Sequence, residues 1–385
     1  MVAVNRVRKR YNRQVKIVLY SLICVAFFTP VGVSAQVVHQ DLQSTERAEV
    51  VEILAETERE IIGTEATALV QTVRVQLLSG EEKGSLVNFD NDLTVLKEGD
   101  TIFVNHLITV NGDEYYEFKD VDRRGVLVGL ALLLAVLLVL FAGVQGVRAL
   151  LGLAGSIVAI LFLLVPALLA GYPPVLASIG IAGVVLAFAL FLTHGVRTSS
   201  AIAFCGTFAA VLVTSAIATL WVGAARLTGF GSDASIYLNF STSGTLDFSA
   251  LLLGSIIIGM LGVLDDVAVT QVSVVEELKA ANKMFRQADL YRRAIRVGRD
   301  HVASLVNTLA FAYVGAALPL VLLLARTDAS FGMLVNQEMV AAEIVRIIVG
   351  SIGLILTVPL TTMIAAWWYD GREVHENHHG HSHIH

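Results

Sequence analysis

The sequence predicts an α-helical polytopic membrane protein of about seven spans, preceded by a small extracytoplasmic β-barrel-like domain. Three observations predict it. Of 385 residues, 55% are hydrophobic and 16% charged, with a mean hydropathy of +0.71, whereas soluble domains carry about a quarter of their residues as charges. The charge deficit is concentrated after Arg124, where apolar runs are long enough to cross a hydrocarbon core of about 30 Å. Before Arg124, apolar and polar residues alternate with a period near two, the signature of half-buried strands.

The elements follow in order. Arg6, Arg8, Lys9, Arg10, Arg13 and Lys16 precede an apolar stretch at 17–28, Pro30 interrupts it, and Val33, Ser34 and Ala35 place small residues before Gln36. Residues 1–35 therefore read as a signal peptide or an uncleaved N-terminal helix. Either keeps the N-terminus inside and sends residue 36 outward. The cysteines, Cys24 and Cys205, lie in the leader and in an apolar helix, so no disulfide framework is expected.

Residues 36–124 form the extracytoplasmic β-rich domain. Alternation at 68–78, a turn at 79–84 and a return at 85–89 make one hairpin. Strands at 101–105 and 114–118 flank Asn111, Gly112 and Asp113, a hairpin signal. Short strands joined by tight turns suggest a barrel of the OB or SH3 kind. The charged stretch 46–60 reads equally as a helix or an opening strand. The domain is acidic, and Asn88, Asp90 and Asp92 read as a solvated turn in preference to a cation site.

Candidate spans are 125–144, 149–169, 174–192, 199–222, 251–273, 302–324 and 343–368. With the β-domain outside, Arg148, Arg197 and the basic segment 274–301 fall inside, while Arg226 and Arg326 are the cations of the outer loops between spans. The positive-inside bias supports this topology independently of the leader. It places the protein in a bacterial-type cytoplasmic (inner) membrane with the C-terminus in the cytoplasm.

Charges inside spans are costly and usually line a bundle interior or a watery cavity. In the fifth span Asp265 and Asp266 sit within an apolar segment, and Ser255, Gly259, Gly262, Asp266, Thr270, Ser273 and Glu277 share one helical face. Their competing explanation is a span that ends near Leu264, leaving both aspartates solvated. The seventh span opens with Glu343 and Arg346, three residues apart and able to pair as an outer gate, and continues through Thr357 and Thr361, with Pro359 beside them. The sixth adds Asn307. At about 1.5 Å per residue, Asp266, Asn307 and Thr361 lie at similar depths and are expected to share one ion-binding site with Asp265, Thr270 and Thr357. Asp300 and His301 bring ionisable groups to the inner surface.

The tail at 369–385 carries His375, His378, His379, His381, His383 and His385. Clustered imidazoles suit divalent metals such as Zn²⁺ or Ni²⁺. No cofactor is otherwise required. The chain lacks a P-loop, a GxGxxG after a strand, GxSxG, HExxH and a zinc-type cysteine pair, so no enzyme is expected. The expected partners are the bilayer and an unidentified small ion or solute, with no nucleic acid and with a homo-oligomer left open.

Several of these stretches together resemble the YibE/F-like family of bacterial multi-pass membrane proteins. They are GMLGVLDD at 259–266, VVEEL at 274–278, GRDH at 298–301, VNTL at 306–309, AYVG at 312–315, LP at 318–319, VGSIG at 349–353 and TVPL at 357–360. The resemblance runs from the β-domain to Trp368 and is strongest in the last three spans; the leader and histidine tail stand apart from it. It implies the architecture and the choice of motif residues and supplies no substrate. The expectation is a transporter or permease using intramembrane carboxylates for a cation or proton. The alternative is a non-transporting envelope sensor or scaffold acting through its acidic outer domain.

Overall fold

The computed structural model describes residues 42–60, 67–109 and 113–372. The leader, Asn111 and Gly112 of the expected hairpin turn, and the six tail histidines lie outside the described residues. The chain divides into two compact units between Leu137 and Leu138.

The first unit is built on one antiparallel sheet. Its strands are β1 (Leu42–Glu60), β2 (Thr67–Leu77), β3 (Leu86–Asn91), β4 (Thr101–Ile108) and β5 (Glu114–Val121), in the order β3-β2-β1-β4-β5. The stretch left open between helix and strand is thus the central strand, 19 residues long, pairing β2 along one edge and β4 along the other. The sheet curls until its edges, β3 and β5, approach each other without pairing, a half-barrel. Period-two alternation explains its core: Ala48 and Val50, Val73, Val75 and Leu77, and Ile102 and Val104 point inward and are at most 1% exposed. Gln71 is buried among them, accepting from the Leu96 N–H (2.7 Å) and donating to the Leu96 carbonyl (3.1 Å), which ties the β3–β4 loop to the sheet.

After β5, Asp122 accepts from Arg124 Nε (2.8 Å) and Nη2 (2.7 Å), and Arg47 Nε of β1 lies 3.0 Å away. The Arg124 fork, then its charge and that of Arg47, holds the Asp122 carboxyl well below the usual carboxylate range. Arg124 also stands over the Phe103 ring, 4.9 Å from its centroid.

Helix α1 (Arg124–Ala142) leads into the second unit, which holds α2 (Val144–Leu169), α3 (Pro174–Leu192), α4 (Thr198–Ala224), α5 (Asp233–Ser241), α6 (Phe248–Ala281), α7 (Gln287–Ala316), α8 (Leu318–Ala325), α9 (Phe331–Asn336) and α10 (Glu338–Tyr369). Six helices are long and apolar enough to cross a membrane, and α7 with α8, bent by 65°, makes a seventh if taken as one span. The bend falls at Pro319, which has no N–H for the Gly315 carbonyl. Helix α10 instead runs unbroken through Pro359.

The bundle packs around α6. Ile257, Met260, Leu261, Leu264 and Val267 of α6 meet Leu354 and Val358 of α10, Val211 of α4 and Leu186 of α3. Glycines set the closest approaches. A Cβ at Gly206 of α4 would run into Thr361 Oγ1 and lie 2.9 Å from Thr361 Cα, and one at Gly298 of α7 would lie 2.7 Å from both Gln271 Oε1 and Val358 Cγ1. Buried Gln271 donates to the Ala294 carbonyl across the α6–α7 contact (2.9 Å). Lys279, 3% exposed at the end of α6, donates to the carbonyls of Lys283 and Phe285, both at 2.9 Å, and so shapes the turn into α7.

Candidate functional site

The small and polar residues of α6 form one continuous exposed stripe. Ser255, Gly259, Gly262, Asp266, Thr270, Ser273 and Glu277 are all exposed, while Leu264, Val267, Ala268, Gln271 and Val272 on the other side are buried. The helix therefore presents its polar face away from its packing contacts and keeps its branched aliphatic residues for the core. Asp265 is half-buried beside the stripe, and its Oδ1 accepts from the Asp266 N–H at 3.0 Å. Among the described residues no cation pairs with either aspartate.

At the Ser255 end, Arg346 of α10 closes the stripe. It donates to Glu343 Oε1 (2.6 Å) and to Ser255 Oγ (3.2 Å), and lies 5.9 Å from the centroid of the Tyr313 ring. The Tyr313 hydroxyl fills the space beside Gly259, where a Cβ would lie 2.6 Å from it.

Toward the other end, α6 borders a polar cavity of about 280 Å³. Gln145 and Arg148 of α2 line it, with Thr193, His194 and Arg197 of the α3–α4 connection. Ser199 and Ser200 at the start of α4, and Val269, Val272, Ser273 and Glu276 of α6, complete the wall. Glu276 Oε1 accepts from the Tyr369 hydroxyl of α10 at 2.5 Å. His194 is half-buried; burial pushes its imidazole below the ordinary value, the charge of Asp266 opposes this, and Arg197 adds to it. The stripe and the cavity thus meet on α6, with His194 sensing charge from both.

The structure does not bring the other expected ligands to Asp266. Asn307 is exposed, about 140–160° around α7 from buried Val302 and Leu309, so it points away from the bundle. Thr357 and Thr361 are fully buried; Thr357 Oγ1 donates to the Gly353 carbonyl (2.9 Å), and Thr361 lies against Gly206 of α4 with its hydroxyl unpartnered among the described residues. Similar depth is a statement about height along the helix axis, whereas sharing a site also requires the same azimuth. Thr270 does share the stripe, one turn from Asp266. Asp300 and His301 are exposed on α7. The histidine tail lies outside the described residues, and among the described residues no group of three or more His, Cys, Asp or Glu is placed to hold a metal.

The cavity's His194, Gln145, Thr193 and Ser199 carry no signal in single-sequence reading, and Ser200 shows there only as one of three hydroxyls, with Thr207 and Thr214, spaced seven apart on the fourth span. Arg148 and Arg197 are legible there only as markers of the inner side. Glu276 falls within VVEEL at 274–278, the one trace of this cavity in the motif residues.

A second polar cluster lies in the sheet unit. Glu46 and His106 occupy inward positions of β1 and β4, 4% and 9% exposed. His106 Nδ1 is 3.6 Å from Glu46 Oε1 and its Nε2 3.2 Å from Glu114 Oε2, and its ring stacks on Tyr116 at 4.4 Å. Glu46 Oε2 has no partner among the described residues.

Long apolar helices behind a small sheet domain define a multi-pass membrane protein. The chain belongs to the YibE/F-like protein family, which it matches over residues 130–371. The match begins inside α1, so it covers α2 to α10 with the stripe and the cavity and leaves the sheet outside. No curated protein and no solved structure matches the chain.

Proposed function

We propose that this protein is a transporter of a bacterial cytoplasmic membrane, with the sheet domain outside, the C-terminus inside, and Asp266 as the carboxylate that takes up a cation or proton. The observation that carries the reading is the polar stripe on α6. An aspartate at the centre of a spanning helix costs about 2.5–3.5 kcal/mol to insert, and water reaching the stripe's hydroxyls and small residues would remove that cost for Asp266. Asp265 stands beside it, its Oδ1 accepting from the Asp266 N–H, Thr270 adds a hydroxyl one turn away, and the Glu343–Arg346 pair bounds the stripe at its outer end. The orientation rests on Arg148, Arg197 and the basic residues between Lys279 and Arg299, which the positive-inside rule assigns to the cytoplasm. The six tail histidines then form a cytoplasmic metal-binding extension separate from the pathway.

The test is flux of protons and of Zn²⁺ or Ni²⁺ into proteoliposomes for the wild type, Asp266→Asn and a chain ending at Glu373. Flux lost in Asp266→Asn and kept without the tail is the expected result. Absence of flux in all three, from folded protein, refutes transport of these ions. That outcome favours a sensor or scaffold acting through the sheet domain, where the buried Glu46 with its unpartnered oxygen beside His106 is the polar feature such a role would use.

A further inference from the structure

We infer that the cavity bounded by α2, α4 and α6 is a binding site for a tetrahedral oxyanion, either inorganic phosphate or the phosphate of a lipid head group. It is independent of the transport reading, since an anion can bind there without being moved.

The charge of the wall selects the class of ligand. Arg148 and Arg197 have no ion-pair partner among the described residues, and the single carboxylate of the wall, Glu276, is already engaged by Tyr369. A metal cation would meet two guanidiniums in the wall, both of them also exposed to solvent, whereas an oxyanion would meet the groups that hold it elsewhere: planar forks and hydroxyl donors.

The backbone adds to the same sign. Helix α4 is 27 residues long and begins at this wall, with Arg197 at its N-cap and no side chain capping it. Its first amide N–H groups have no acceptor within the helix, and its dipole places partial positive charge there. Such a terminus accepts phosphate readily.

Two further observations make this more than a helix end. Ser200 lines the cavity, is 3% exposed, and its hydroxyl has no hydrogen bond to any described residue. The residue is buried while its hydroxyl opens onto the cavity, so it offers a donor to whatever occupies that space. The volume, about 280 Å³, equals that of roughly nine liquid waters, enough for a phosphate group with part of its hydration shell. Hydrated arginines marking the inner side are the competing explanation.

Purified full-length protein in an uncharged detergent would be melted with inorganic phosphate against chloride at matched ionic strength. Parallel melts would use short-chain phosphatidylglycerol against phosphatidylcholine. The variants are Arg148→Gln, Arg197→Gln and Ser200→Ala, with Arg299→Gln, an exposed cation of α7 outside the cavity, as control. The expected result is a rise in melting temperature with phosphate in the wild type and in Arg299→Gln. Loss of one arginine should weaken apparent affinity about tenfold or more. If an arginine variant melts anomalously without ligand, Ser200→Ala carries the comparison.

A shift with phosphatidylglycerol alone, lost in the same variants, assigns the oxyanion to lipid. Stabilisation by neither probe overturns the inference, as does a shift as large in Arg148→Gln and Arg197→Gln as in Arg299→Gln. Flux through Asp266 with no anion binding would leave transport standing and remove this site, and binding without flux would do the reverse.

Discussion

The α4–α10 crossing is tight enough that one methyl group should be felt, and its geometry says which second substitution relieves it. A Cβ at Gly353 would lie 2.8 Å from Thr214 Oγ1, 3.0 Å from its Cγ2 and 3.4 Å from its Cβ. Carbon atoms rest at about 3.5–4.0 Å. Thr214 is fully buried and, being β-branched, cannot rotate its two γ atoms out of the way together. Gly353→Ala should therefore destabilise by about 1–3 kcal/mol, the usual cost of overpacking. Thr214→Ala removes both atoms nearer than 3.4 Å, and it also removes a hydroxyl with no partner among the described residues, so alone it should cost under about 1 kcal/mol. The double variant should recover most of the loss, a coupling of about 1 kcal/mol or more. Gly206→Ala is the contrasting case, because its Cβ would lie 2.9 Å from Thr361 Cα and truncating Thr361 cannot move backbone. Unfolding in mixed micelles followed by tryptophan fluorescence reads this crossing directly, since Trp221, Trp367 and Trp368 all lie in α4 or α10. A double variant as unstable as Gly353→Ala, or more so, would refute the reasoning.

Lys279→Met should strip two carbonyls of their donor at the turn into α7 and destabilise the helical unit by about 1–3 kcal/mol; unchanged unfolding in the same micelle assay would mean that water replaces the ammonium. For Asp122 the sign runs with its lowered pKa: the stabilisation by Arg124 and Arg47 is present above the ordinary carboxylate value near 3.8 and is lost as pH falls below it. Asp122→Asn should thus raise amide exchange in β1 and β4 at pH 7, with the difference from wild type shrinking below about pH 4; a difference independent of pH would argue against the ion pair.

Most of the architecture was legible because it rests on local periodicities. Alternation marked β2, turn signals bounded β4 and β5, and uninterrupted apolar runs marked the long helices, whereas Asn88, Asp90 and Asn91, which read as a turn, continue strand β3 because they pair with β2. The stretch at 46–60 was ambiguous for a physical reason. Register shifts between Val50 and Glu52 and between Ile53 and Ala55 break the period of two within β1, so its inward positions no longer alternate. Its length follows from pairing on both sides, which no local pattern encodes. The stripe on α6 was legible as a set of residues because helical spacing fixes azimuth within one helix. Azimuth between helices depends on packing, and this is where Asn307, Thr357 and Thr361 parted from Asp266. The cavity was least visible, being assembled from the ends of three helices whose residues are unremarkable singly.

His194 is where the two polar features become one electrostatic problem. Asp266 precedes Ser273 by seven residues on α6, about 10 Å along its axis, and Ser273 lines the cavity. The imidazole responds to Asp266 and Arg197 in opposite senses while burial favours its neutral form. Neutralising Asp266 by a proton or a cation removes the charge that favours the imidazolium, so filling the stripe drives His194 toward neutrality. An oxyanion beside Arg197 acts in the other direction, screening the guanidinium and restoring the charged ring. An anion in the cavity thus favours a proton on His194, and occupancy of Asp266 disfavours it. If both sites bind as proposed, linkage would couple them through that proton. Were Asp266 to take up a cation and the cavity an oxyanion, His194 is the group through which each charge would be felt by the other, whether or not the anion is moved.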